Sequence, residues 1–348
     1  MNIHILKKYI LVCGFGLILC GSSIGWAQEN TACTVDSFAT VEQNQSIVKK
    51  KIRTASQKRF IRRKPSAYVV QMPRPALETR LIMSEGDVTF INQFGQNKLP
   101  TKSDGSSNLM DGDRIRTGAQ SFATLQTKND TFLTIASNTD LVLSNIKQSP
   151  IQLELSQGNV ESLVTKQKAT ERKSNYQIKT PAVTLSVRGT RFKVMHSQNS
   201  GNTNVSVEDG LVAVQLRQAC GQPVLLGEGK GAVASPTYIH VKDMLSEPVD
   251  IALSPVEKSK TLEVSAKPVL NAVLYRVQAS LDESALLVVK EAHGTTPKLV
   301  LEGLDNGYYF VRLSAIDANG VEGFSDLRTV LYQPPPNSDL WLEDFLKP

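Results

Sequence analysis

Residues 176–216 read YQIKTPAVTLSVRGTRFKVMHSQNSGNTNVSVEDGLVAVQL. Within this stretch Tyr176 and Ile178, Phe192 and Val194, Val205 and Val207, and Val212, Val214 and Leu216 stand at alternate positions. Successive side chains of a strand point to opposite faces, so this spacing predicts strands with one buried face; a helix would repeat its apolar residues every three to four positions. Asp209-Gly210 reads as a hairpin turn, because both central positions of a type I′ turn need positive φ.

The same period extends toward the N-terminus. Ala123 and Leu125, then Thr131, Leu133 and Ile135, then Leu141 and Leu143, then Leu153 and Leu155 alternate, and Gln157-Gly158-Asn159 reads as a turn. Between residues 81 and 240 no run keeps a 3.6-residue period for three turns, so an antiparallel β domain is expected, a sandwich or a β-roll. A second set follows over residues 250–333: Tyr275, Val277 and Ala279, then Leu287 and Val289, then Leu299 and Leu301, with turns at Leu304-Asp305-Asn306-Gly307 and Asn319-Gly320. Strands at this spacing predict a sandwich of about 80 residues. The fold class is therefore all-β, in two modules.

Two stretches carry resemblances. Asp111-Gly112-Asp113-Arg114-Ile115-Arg116-Thr117-Gly118, Leu155-Ser156-Gln157-Gly158-Asn159-Val160, Lys179-Thr180-Pro181-Ala182-Val183, Val187 to Val194 and Val207 to Val214 come in the order and spacing of the FecR domain family, which they resemble. The run Arg188-Gly189-Thr190, with Phe192, is the most specific part, and a fold-keeping role is expected for these four residues. The family's best-known members are periplasmic halves of iron-uptake signalling proteins that control a sigma factor. The resemblance thus implies an extracytoplasmic β domain that contacts another molecule. Only six residues precede Lys7, too few for the cytoplasmic anti-sigma segment of those members. The run from Leu304 to Ser325 resembles the last strands of fibronectin type III modules, with Tyr309 near the tyrosine-corner position and Tyr309, Val311 and Leu313 on the inward face.

Outside the two modules the chain divides by composition. Lys7 and Lys8, the apolar run Tyr9–Ile24 and the small residues of Gly25-Trp26-Ala27 form a secretory signal, so residues 1–27 are expected to be removed on export to the periplasm or the outer membrane. Cys20 follows an apolar run as in lipoprotein signals, but Leu19 is larger than such signals favour. In an oxidising compartment the remaining cysteines, Cys33 and Cys220, are either bridged or free. The formal charge of +6 comes from the signal and from residues 28–80, which hold 11 Lys/Arg against 4 Asp/Glu. Lys49, Lys50, Lys51, Arg53, Arg62, Arg63 and Lys64 lie in a stretch without acids, read as a basic flexible linker that is either a solvated spacer or a contact for polyanions. For an exported chain those polyanions are anionic lipid, lipopolysaccharide or cell-wall polymer rather than nucleic acid. Pro334-Pro335-Pro336 ends the second module, and residues 337–348 form an amphipathic tail with Trp341 and Phe345 four apart.

No motif points to catalysis or a cofactor. Gly21-Ser22-Ser23-Ile24-Gly25 has the letters of a nucleophile elbow but lies in the signal, and the glycines at 227, 229 and 231 lack dinucleotide spacing and read as a turn. His196, His240 and His293 read as isolated surface residues, and Asp104, Asp111 and Asp113 lack the order of a calcium loop. The function expected is a non-enzymatic envelope binding protein that recognises an envelope protein or cell-wall polymer. Two alternatives stay open: an accessory of FecR-type iron-responsive signalling, and an enzyme acting on cell-wall polymer with carboxylates brought together in space.

Overall fold

The computed structural model describes residues 78–127, 130–166, 174–218, 221–256 and 260–333. The signal segment, Cys20, the basic stretch, Cys33, Cys220 and the tail lie outside the described residues. Every regular element among the described residues is a β-strand.

Thirteen strands form the first module: β1 (Arg80–Glu85), β2 (Val88–Ile91), β3 (Asp113–Thr117), β4 (Phe122–Gln126), β5 (Phe132–Ile135), β6 (Asp140–Asn145), β7 (Ile151–Leu163), β8 (Tyr176–Lys179), β9 (Val183–His196), β10 (Thr203–Leu216), β11 (Val224–Gly227), β12 (Lys230–Ala234) and β13 (Ile239–Asp243). They share one hydrogen-bonded network, which β7, β9 and β10 divide into two layers. The first half of β7 pairs with β6 and β8, and its second half with β5 and β9. Strand β10 pairs with β12 at its start and with β11 at its end. Each long strand thus leaves one layer and enters the other.

The places where they cross are glycines. Gly158, Gly189 and Gly210 all have positive φ, at 98°, 62° and 93°. A Cβ on Gly210 would lie 2.5 Å from the Gly189 carbonyl oxygen, and one on Gly158 would collide with Thr139. Two expectations are corrected here. Asp209-Gly210 does not turn the chain back, and neither does Gln157-Gly158-Asn159; both are irregularities inside continuous strands, with the β9–β10 register shifting on either side of Asp209. A residue with positive φ suits a bulge as well as a turn, and letters alone do not separate them. One pairing also departs from the antiparallel expectation. Strands β7 and β8 run parallel, Ile151 opposite Tyr176, across a connection of about a dozen residues, the length a parallel crossover needs.

The inward faces of both layers form one core, with Ile115, Leu125, Leu133, Leu153, Phe192 and Val205 among its buried members. Tyr176 and Phe192 meet edge to face, centroids 6.2 Å apart.

Seven strands make the second module. A three-stranded sheet orders β14 (Ala252–Val256), β15 (Thr261–Ser265) and β18 (Lys298–Glu302); a four-stranded sheet orders β17 (Val288–Gly294), β16 (Ala272–Ser280), β19 (Gly307–Asp317) and β20 (Glu322–Tyr332). Between them lie Leu262, Val277, Leu301, Tyr309, Val311 and Leu313. The Tyr309 hydroxyl donates to the Asp305 carbonyl at 3.0 Å, closing the corner as in a fibronectin type III-like sandwich. At the β19–β20 turn, Gly320 N–H bonds to Asp317 O, and the Asp317 carboxylate accepts from the N–H groups of Asn319 and Val321.

Candidate functional site

The four motif residues all lie on β9. Gly189 permits the crossing in β9. The Thr190 hydroxyl donates to the Leu211 carbonyl at 3.0 Å and accepts from the Leu211 N–H at 3.1 Å, spanning the β9–β10 irregularity. Phe192 is fully buried, and Arg188 is half-buried on β9, opposite Leu211 of β10. Asp104, Asp111 and Asp113 serve separate local tasks: Asp104 accepts from Ser106, Asp111 from the Ile146 N–H, and Asp113 from the Met110 N–H and Lys98.

The side chains that alternate with the core tell a different story. Period two predicted one buried face per strand. In β4 and β5 every residue is buried, because the outer face of this layer packs against the four-stranded sheet of the second module. The hydroxyls of Thr124 and Thr134 both donate to the Leu286 carbonyl, at 2.8 and 2.6 Å. Phe122 and Ala136 pack with Val288. The Asn204 amide donates to the Asn319 carbonyl at 2.9 Å.

At the centre of this seam stands a charge network. Glu161 on β7 accepts from Arg312 on β19, at 2.8 Å through Nη1, and from Arg191 on β9 at 2.5 Å. Arg191 and Lys193 both pair with Glu208, at 2.8 and 3.0 Å. Lys193 also reaches Glu322 on β20 at 2.7 Å, and Glu322 pairs with Arg276 on β16 at 3.1 Å. Arg276 makes two bonds to one Glu291 oxygen, at 3.0 and 2.8 Å. Gln278 links the halves, accepting from Arg312 at 2.8 Å and donating to Glu291 at 3.2 Å. Four acids face four bases, so the layer is neutral. That balance favours burial of the charges, although Arg191 Nε and Glu208 Oε1 meet their partners as ion pairs without hydrogen-bond geometry.

The electrostatics follow from this arrangement. Burial pushes the Glu161 carboxyl up, but Arg312 and Arg191 outweigh it and hold the group well below the usual carboxylate range. Glu322 is likewise raised by burial and lowered further by Lys193 and Arg276, and Glu291 by Arg276. All three stay ionised.

Beside the network a cleft of about 400 Å3 opens between the modules. Arg276, Glu291 and His293 come from the second module; His196, Met195 and the segments around residues 119, 138, 158 and 198 come from the first. His196 contradicts its reading as a surface residue. It is 2% exposed, its Nδ1 3.0 Å from the Thr203 hydroxyl, and burial holds its pKa below the ordinary value. His293 is exposed at the cleft and shifts the same way, chiefly by desolvation.

Sequence reasoning passed over the seam residues. Arg191 and Lys193 sit inside the quoted motif, yet a charged residue between apolar ones reads as a solvated face. The only available signal was that outward positions of both modules carry charges of both signs.

Residues 113–213 match the family model described as FecR protein. A solved structure of a "putative anti-sigma factor" from Parabacteroides distasonis ATCC 8503 is similar at 18% identity and a TM-score of 0.33, covering 37% of this chain and 59% of that one. The FN1-FN3 domains of chicken CNTN1 are similar at 13% identity and a TM-score of 0.22, covering 71% of this chain and 88% of that one. No curated protein matches.

Proposed function

We propose that this chain, which carries a FecR domain followed by a fibronectin type III-like sandwich, is a non-enzymatic binding or sensing protein of the cell envelope. The domain limits proposed are residues 81–240 and 250–333, after a cleaved signal and a basic linker. The observation that supports this reading most is the cleft. It lies where the FecR domain meets the sandwich, both modules line it, and a buried charge network beside it fixes their separation. Such a preformed concave surface favours recognition, since little ordering is left to do on binding. The four motif residues are assigned to keeping the fold, and the basic linker to contact with anionic lipid or lipopolysaccharide.

The test uses the mature chain with isolated membranes and with cell-wall sacculi. Saturable retention on one of them, without release of polymer fragments, is expected. Failure to be retained on either, or accumulation of soluble fragments, would overturn the reading, the second outcome in favour of an enzyme. A role in signalling predicts in addition that deleting the gene changes transcripts under iron limitation.

A further inference from the structure

We infer that the cleft between the modules binds a neutral saccharide of one or two rings. This rests on the envelope-binding reading and names the class of ligand. The volume of about 400 Å3 falls within the ~300–1,000 Å3 of small-ligand sites.

The chemistry of the lining selects the ligand. Six carboxamides line the cleft: Gln120, Asn138, Gln157, Asn159, Gln198 and Asn199. Each offers two donors and an acceptor without charge. Among the described residues, no hydrogen bond to the protein engages the side chains of Asn138, Gln157, Asn159 or Asn199. The bonds of the other two are long: Gln198 donates to the Ser156 carbonyl at 3.4 Å, and Gln120 accepts from the Glu291 N–H at 3.4 Å. These groups are available to a ligand that both donates and accepts, as sugar hydroxyls do.

The charges in the lining argue against an ionic ligand. Arg276 is already divided between Glu291 and Glu322. An anion would have to displace a buried carboxylate, and a cation a buried guanidinium, each leaving a desolvated charge unpaired. Binding by strand addition needs a free sheet edge; β17, which brings Glu291 and His293 to the cleft, ends its sheet, so a peptide is the competing occupant that the test must exclude. Among the described residues no Phe, Tyr or Trp lines the cleft, so hydrogen bonds carry the interaction and dissociation constants on the order of 1 mM are expected.

Saturation-transfer NMR on the full mature chain with N,N′-diacetylchitobiose, cellobiose and maltose tests this, with trialanine and glucuronate as comparison arms. Saturable binding of at least one neutral disaccharide is expected, weakened about tenfold in the double variant Gln157→Ala/Asn199→Ala. Both positions are exposed, so melting should not change. Asn138→Asp keeps the side chain's shape and its tolerance of the positive φ at that position; it should weaken binding likewise. No binding of any neutral sugar, undiminished binding by both variants, or preference for trialanine or glucuronate would overturn the inference. Retention on envelope material without sugar binding would overturn it while leaving the proposed function standing.

Discussion

Single residues at the layer crossings carry demands that their neighbours do not. Gly158 combines a φ of 98° with Thr139 packed where a side chain would start. Gly158→Ala is therefore expected to destabilise the FecR domain by about 1–3 kcal/mol from backbone strain, with the collision added; urea denaturation measures it, and an unchanged midpoint would refute the crossing role. Phe192→Ala removes the partner of Tyr176 and opens a cavity in the first core. A loss of about 3–5 kcal/mol is expected. In the sandwich, Tyr309→Phe deletes the bond to the Asp305 carbonyl and should cost about 1 kcal/mol, read as a lower melting temperature with the near-ultraviolet spectrum retained.

At the scale of the element, strand period was legible and strand continuity was not. The apolar positions of β9, β10, β16 and β19 lie on the inward faces that alternation assigns them. Glycine with an acid or amide beside it signals positive φ, but that conformation serves a bulge within β7 or β10 as readily as a reversal. What decides is whether the chain beyond finds a partner on a second layer, as β10 does with β12 before Gly210 and β11 after it. The contact proposed for the basic segment over residues 49–64 would act at this scale by charge alone. Retention of the chain on anionic vesicles is expected to fall as salt rises, because screening shortens to about 10 Å at 0.1 M; salt-independent retention would exclude the assigned contact.

The two modules meet across a seam of buried opposite charges. Glu161→Gln leaves Arg312 and Arg191 short of their carboxylate, and a loss of about 3–5 kcal/mol is expected. Glu161→Met with Arg312→Met together should cost less than the single change, since no charge of that pair stays unpartnered. If the single and double variants unfold alike, the network does not hold the modules. Acid should loosen the seam as well. His196 and His293 have lowered pKa values in the fold, so their contribution is complete above about 6.5 and fades as pH falls. Glu161, Glu291 and Glu322 are lowered too, and theirs is lost as pH falls below about 4.3. Asp282, raised by burial against the N–H donors of Leu287 and Leu286, works in the opposite direction. Stability measured from pH 7 to 3 should therefore decline first modestly and then steeply; a flat profile would contradict the assignment.

The sequence by itself determined the all-β class, the division into two β-modules and the inward positions of each strand, because alternation is a local consequence of the pleat. It also carried the FecR resemblance in the run around Arg188 to Phe192. Only the tertiary structure decided what lies on the outer faces. Arg191, Lys193, Arg276 and Arg312 read as solvent-facing charges until a second sheet is laid against the first. Lys193 and Arg312 meet their partners Glu322 and Glu161 across 129 and 151 residues of chain, and no local pattern encodes that meeting.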